Sequence, residues 1–200
     1  MIISIDMYIV GLGNPGEEYK ESRHNVGRII LEKFRKKFDF SDWEFDKKSQ
    51  SLVSEGKVGK TEAKLILPET YMNRSGGSVK KFVTSKKKVQ DLVVVYDEID
   101  LPLGITKIVF NRGSGGHKGI ESVMRSLGTK EFTRLRVGIS PSTPSGKIKK
   151  PKGEQKVVDF VLGKFSKREQ ETLKKIQKKM VEALEALVTE GRATAMNRFN

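Results

Sequence analysis

The chain predicts an α/β fold: one domain over residues 1–200, layered, with a central mixed sheet flanked by helices. Three observations carry that reading. Its 200 residues match the ~100–200 typical of one domain. That length buries a core without disulfide or metal staples, and the sequence contains no cysteine. Short apolar runs alternate with stretches of helical period along nearly the whole length, the pattern of a sheet layered with helices.

Residues 7–12 form a short apolar run ending at glycine, which reads as a buried strand. After a turn-rich stretch, Val26, Ile29, Ile30, Phe34 and Phe38 share one helical face, with lysines opposite. Residues 43–67 read as two or three strands, one of them 63–67, broken by Gly56 and Gly59. A helix follows over about 71–84, weakened by Gly76 and Gly77. Residues 91–96 form the clearest buried strand and 105–110 a second. A helix over 117–127 stops at Gly128, a suitable C-terminal cap, and 132–139 is again a strand. Residues 140–156 carry three prolines and several lysines with no apolar period, so a mobile basic loop is expected there. A strand is expected at 157–162. Ser166 and Glu169 then have the spacing of a capping box. They open a long amphipathic helix with Leu173, Ile176, Met180, Ala183, Leu184, Leu187 and Val188 inward, closed by Gly191.

Composition narrows the chemistry. The absence of cysteine excludes thiolate catalysis, cysteine zinc sites and iron–sulfur clusters. With only His24 and His117 present, a three-histidine metal site is impossible. The net charge of +14 points to phosphate-rich partners, because neutralising phosphates releases counterions. The excess lies in runs such as Lys80–Lys81, Lys86–Lys88 and Lys147–Lys152. No uncharged apolar run reaches the ~18 residues of a membrane span, so no membrane partner is expected. The apolar start contains Asp6 and lacks a basic opening, so it does not read as a signal peptide; residues 1–6 are either an extended leader or a plain start. A cytoplasmic protein is expected.

Five segments carry the candidate chemistry. Gly11-Leu12-Gly13-Asn14-Pro15-Gly16 follows a strand and fits G-x-G-x-x-G. In a dinucleotide-binding turn the helix begins at once, but Pro15 pushes Asn14 towards extended geometry and helical period begins only near Asn25. The segment reads as a rigid loop aiming the Asn14 side chain at the top of the first strand. Ser22-Arg23-His24-Asn25 places His24 at a loop-to-helix junction, where a lone histidine is most often a cap or surface group. Asp97-Glu98-Ile99-Asp100 closes the 91–96 strand, and α/β proteins build their sites at such strand ends. One of these carboxylates could accept a histidine N–H, fix its tautomer and leave the other ring nitrogen as a base. The three acids could instead bind magnesium; acid–base chemistry is favoured. Pro68 to Gly76 puts Asn73 near a helix start, as an N-cap or as a donor to an oxyanion. Gly113 to Gly119 precedes another helix and could hold an anion or a peptide carbonyl, without P-loop spacing.

Taken together, VGLGNPGEEY, SRHNVG, PETYMNRSG, VYDEIDLPLG, GSGGHKG, RLRVGIS and FVLGKF resemble the bacterial-type peptidyl-tRNA hydrolase family, in the family's order and over about residues 8–165. The resemblance implies hydrolysis of the ester between a peptide and the 3′ ribose of tRNA, which recycles tRNA from abandoned translation, with neither metal nor organic cofactor; a monomer is expected. It casts His24 as general base, Asp97 as its orienter, and Asn14 as holder of the water or the substrate's terminal region. Asn73 would bind the peptide backbone or the oxyanion. His117 would line the peptide channel, with Tyr19, Tyr71 and Met72 shaping its walls. Two positions depart from the family. Lys118 stands where asparagine is common, so a cation would replace an amide contact. Of the lysine and arginine that hold a tRNA phosphate, Arg136 matches, while the lysine position reads Val109 and Lys107 is the nearest substitute on the same strand face. The alternatives are a non-catalytic RNA-binding relative of the same fold and a nucleotide-dependent oxidoreductase.

Overall fold

A computed structural model describes residues 5–200; residues 1–4, most of the opening segment read as a leader or a plain start, lie outside them. The strands are β1 (Met7–Gly11), β2 (Glu44–Asp46), β3 (Ser51–Val58), β4 (Thr61–Pro68), β5 (Leu92–Pro102), β6 (Thr106–Phe110) and β7 (Thr133–Ser140). The helices are α1 (Val26–Lys37), α2 (Ser75–Phe82), α3 (Lys86–Gln90), α4 (Lys118–Leu127), α5 (Glu154–Leu162), α6 (Lys167–Thr189) and α7 (Arg192–Phe199). All seven strands join one mixed sheet in the order β2-β3-β4-β1-β5-β7-β6. The four central strands run parallel, and antiparallel pairs finish both edges.

Strand alternation feeds two cores. Ile9, Val93 and Val95 face a core shared with α1, α5, α6 and α7. Tyr8, Val10, Leu92, Val94 and Tyr96 face a second core under α2, α3 and α4. A parallel sheet covered on both faces needs apolar residues at consecutive positions, which is why β5 reads LVVVY. Helix α1 sits unusually close to the sheet. A Cβ on Gly27 would lie 2.4 Å from the Val95 carbonyl oxygen, so only glycine permits this approach, and it brings the turn before α1 down onto β5.

The structure corrects the sequence reading at three places. Residues 157–162 are not a strand but most of α5. Its apolar run is compatible with either state, and Gly153, at φ 93°, and Gly163 bracket one helical stretch. Asp97 does not close its strand: β5 continues to Pro102, with an irregularity in its β7 pairing after Glu98. What ends is the neighbour β1, whose last pair is Gly11 with Val95. Finally, the basic run 86–90 and the residues after Gly191 form α3 and α7, both too short or too polar to announce themselves by period.

Candidate active site

Because β1 stops two residues short of Asp97, that carboxylate stands over an open strand end and is reached from both faces of the sheet. From one face comes a 3-10 turn, Arg23–Asn25, that leads into α1. His24 in this turn donates from Nδ1 to Asp97, at 2.9 Å from Oδ1 and 3.0 Å from Oδ2. From the other face comes the start of α4. His117 caps that helix: its Nδ1 accepts the Ile120 N–H at 3.2 Å. A ring nitrogen that accepts carries no proton, so the proton of a neutral His117 is on Nε2, which lies 2.9 Å from Asp97 Oδ1. Asp97 therefore receives two imidazole N–H groups, and the two rings lie 5.0 Å apart. Tyr96 packs edge-on against His117; burial, then the Glu98 charge, pushes its phenol up to about 12.

Asp97 is buried. Burial alone would raise its carboxyl, but the charges of and hydrogen bonds from His24 and His117 outweigh it and hold the group below the ordinary carboxylate range. It is thus a fixed anion that locks His24 with Nδ1 protonated and leaves Nε2 as the free basic nitrogen. Ligand atoms of His24, Asp97 and His117 all lie within 4.8 Å of one another, close enough to offer a metal three donors. The tautomer argues against that use. A metal on His117 Nε2 would need the ring proton on Nδ1, where it would face the Ile120 N–H.

Asn14 is buried and braced from two sides. Its backbone N–H donates to Asn25 Oδ1 at 2.8 Å, while Asn25 Nδ2 donates to its carbonyl at 2.9 Å. This reciprocal pair ties the Asn14 loop to the residue after His24. The Asn14 side-chain oxygen accepts the Met72 N–H at 2.8 Å, which commits Oδ1 to structure and leaves the NH2 as the available end. Met72 begins a second 3-10 turn, Met72–Arg74, in which Asn73 is exposed. Met72 reaches α4, since a Cβ on Gly119 would strike its Sδ at 2.4 Å. The Asn14 loop, the Asn73 turn and the His117 cap are thereby packed in series.

The cleft over the His24–Asp97–His117 cluster has a volume of about 310 Å³. Lys118, Gly115 and Gly116 form one side and Val157, Val158 and Val161 of α5 the other. Asn14, Tyr19, Tyr71, Met72 and Asn73 do not line this cleft; Tyr19 is half-buried and Tyr71 is 59% exposed. Lys118 is solvent-facing, 3.6 Å from Glu121. A second concavity, of about 710 Å³, is lined by Lys107, Arg112, Arg136 and Arg192. Lys107 and Arg136 are directly opposed across β6 and β7. They are not equivalent, because buried Glu98 takes Arg136 Nε at 2.8 Å and Nη2 at 2.7 Å. Sequence reasoning missed the Glu98–Arg136 ion pair, the Asn25 brace and the α5 wall. The spacing of Val157, Phe160 and Val161 was the available signal for the wall.

A model of one protein family, described as peptidyl-tRNA hydrolase, matches residues 8–200. The peptidyl-tRNA hydrolase of Syntrophotalea carbinolica is 40% identical over 194 residues, covering 96% of this chain and 95% of its own. That of Dehalococcoides mccartyi is 41% identical over 194 residues, covering 96% and 98%. The crystal structure of peptidyl-tRNA hydrolase from Acinetobacter baumannii superposes with a TM-score of 0.86 at 31% identity, covering 99% of this chain and 97% of that one.

Proposed function

Starting from the fact that this chain belongs to the peptidyl-tRNA hydrolase family and hydrolyses the ester of peptidyl-tRNA, we propose that His24 is its general base, with Asp97 as the anion that orients it. The observation that carries this is the hydrogen bond from His24 Nδ1 to buried Asp97, which leaves Nε2 free to take a proton from water. The resulting hydroxide attacks the ester carbonyl carbon. The carbon–oxygen bond to the 3′ ribose then breaks, and the proton held on His24 passes to the departing ribose oxygen. Asp97 stabilises the transient imidazolium, and a positioned base contributes about 10²–10⁴-fold.

The NH2 of Asn14 holds the water or the end of the substrate, and Asn73 donates to the peptide carbonyl or the developing oxyanion. His117 carries a second role beside lining the peptide path: it steadies Asp97 from the far side. Tyr19, Tyr71 and Met72 shape the approach, and Lys118 meets the peptide or an adjacent phosphate. Lys107 supplies the freer charge at a tRNA phosphate and Arg136 the oriented one. No metal or organic cofactor enters these steps. Among the described residues no helix is long and apolar enough to cross a membrane; the enzyme works in the cytoplasm, where its substrate is made, as a monomer. Release of peptide from N-blocked aminoacyl-tRNA by wild type and His24→Ala tests the assignment. The variant is expected to be slower by at least two orders of magnitude, and equal rates refute it. An inactive wild type that still binds RNA with a steep salt dependence would return the non-catalytic reading.

A further inference from the structure

We propose that Arg23 is a positioning residue, clamping the turn that carries His24 to the helix α5 that walls the cleft, so that base and substrate wall are set as one unit. The proposal rests on the reading of His24 as the base.

Arg23 precedes His24 in the same 3-10 turn but points the other way, into the space between α5 and α6. Its side chain is only 11% exposed. The guanidinium lies over the Phe160 ring at 4.5 Å and near Phe165 at 5.3 Å. Nη1 donates to the Phe160 carbonyl at 3.4 Å and Nη2 to Glu169 at 2.9 Å. The backbone repeats the tie: the Arg23 N–H donates to Gly163 O at 3.0 Å, and Ser22 bridges to Lys164. Gly163 is fitted to the clamp, since a Cβ there would lie 3.2 Å from Arg23 Nη1. Glu169 is held in turn by the Ser166 N–H at 2.7 Å, so the cation is anchored at the rigid start of α6.

The consequence follows from what sits at each end. Phe160 shares α5 with Val157, Val158 and Val161, which face the catalytic cluster across the cleft. His24 reaches Asp97 from the adjacent residue of Arg23's own turn. A shift of α5 therefore moves the wall and, through Arg23, the base. Lysine can pair with Glu169 but cannot stack as a plane on Phe160 while donating to its carbonyl, so the clamp is specific to arginine.

The test compares Arg23→Lys, Arg23→Leu and Phe160→Leu in the hydrolysis assay, well below each variant's own Tm, with His24→Ala in parallel. Because misplacement of a reacting group by ~1 Å can cost about 10²-fold, kcat is expected to fall about 10- to 100-fold in Arg23→Leu. Arg23→Lys is expected to recover Tm but not kcat, and the Arg23→Leu/Phe160→Leu pair to be no slower than Arg23→Leu alone. A kcat within twofold of wild type in Arg23→Lys and Arg23→Leu, with only Tm lowered, would reduce Arg23 to a structural rivet and overturn the proposal. Should Arg23→Leu fail to fold, Arg23→Lys decides alone. If His24→Ala stays active, it is the assignment of the base that fails; if His24→Ala is dead while Arg23→Lys is as fast as wild type, only the clamp fails.

Discussion

Replacing Asp97 by asparagine changes one atom of the site and tests the proposed chemistry most directly. The carboxylate accepts from His24 Nδ1 at 2.9 Å and from His117 Nε2 at 2.9 Å. An asparagine in its place offers one acceptor and one NH2. His117 is held as an Nε2 donor by the Ile120 N–H on its other nitrogen, so it keeps the asparagine oxygen. The NH2 then faces His24 Nδ1 and forces the ring to accept there. The proton moves to Nε2, and the nitrogen that should take a proton from water is already occupied. The anion that stabilises the imidazolium disappears as well. For a carboxylate that fixes an imidazole's tautomer, the comparable loss in another hydrolase class is on the order of 10⁴ in kcat. Here His24 contacts both carboxylate oxygens, so some orientation survives, and a fall of about 10²–10⁴ is expected, or about 3–5 kcal/mol at ~1.36 kcal/mol per tenfold. KM should change little, because binding contacts away from the cluster are untouched. The assay is steady-state release of peptide from N-blocked aminoacyl-tRNA, paired with a thermal melt and a ¹⁵N spectrum of the histidine rings. A folded Asp97→Asn enzyme with kcat within tenfold of wild type would refute the tautomer argument and with it the role given to His24.

Five further outcomes follow from the same structure. Asn14→Asp keeps the oxygen that accepts the Met72 N–H but loses the NH2 and buries a carboxyl, so Tm should fall and kcat, read well below the variant's own Tm, should drop about 10²-fold, the scale of losing one donor to a reacting oxygen; an unchanged kcat would make Asn14 a brace only. Lys107→Ala should weaken tRNA binding and lower the salt slope by about 1, read by titration at several salt concentrations. Arg136→Ala should in addition destabilise the fold, by about 3–5 kcal/mol, because it strands buried Glu98; denaturant melts would show it. Gly27→Ala drives a Cβ to 2.4 Å from the Val95 carbonyl; it should cost about 1–3 kcal/mol and slow hydrolysis by lifting the His24 turn, checked by melt and kcat. Glu32 is pushed up by burial but brought down to about 2 by Arg35, Trp43 and Lys36. A carboxyl lowered in the folded state stabilises above its unfolded value, and that contribution drains away as pH falls from about 4.5 towards 2, so Tm should drop over that window more steeply in wild type than in Glu32→Gln.

Much of the scaffold is legible from residue order because its signals are short-range. The face of α1 shows in Val26, Ile30 and Phe34, all buried, and the capping box of α6 in Ser166 and Glu169. β5 shows as an unbroken apolar run because both sides of it are covered. The opposite case is α5. Val157, Val158, Phe160, Val161 and Leu162 suit a strand or a helix equally, and what decides is the Arg23 guanidinium and the cleft it packs against.

By itself, then, the order of residues determined the alternation of strands and helices, the absence of thiol chemistry, the basic charge, and the short turns bearing Asn14, His24 and His117. Tertiary structure alone decided that Asp97 meets both histidines, one 73 positions before it and the other 20 after it. It also decided that Arg136 is spoken for by Glu98 while Lys107 is not. The reason is physical: caps, turns and periodicity act over one or two turns of chain. The meeting at Asp97 depends on β1 ending two residues early beside β5 and on a glycine that lets α1 touch the sheet, a coincidence of three distant segments that exists only once the sheet has formed.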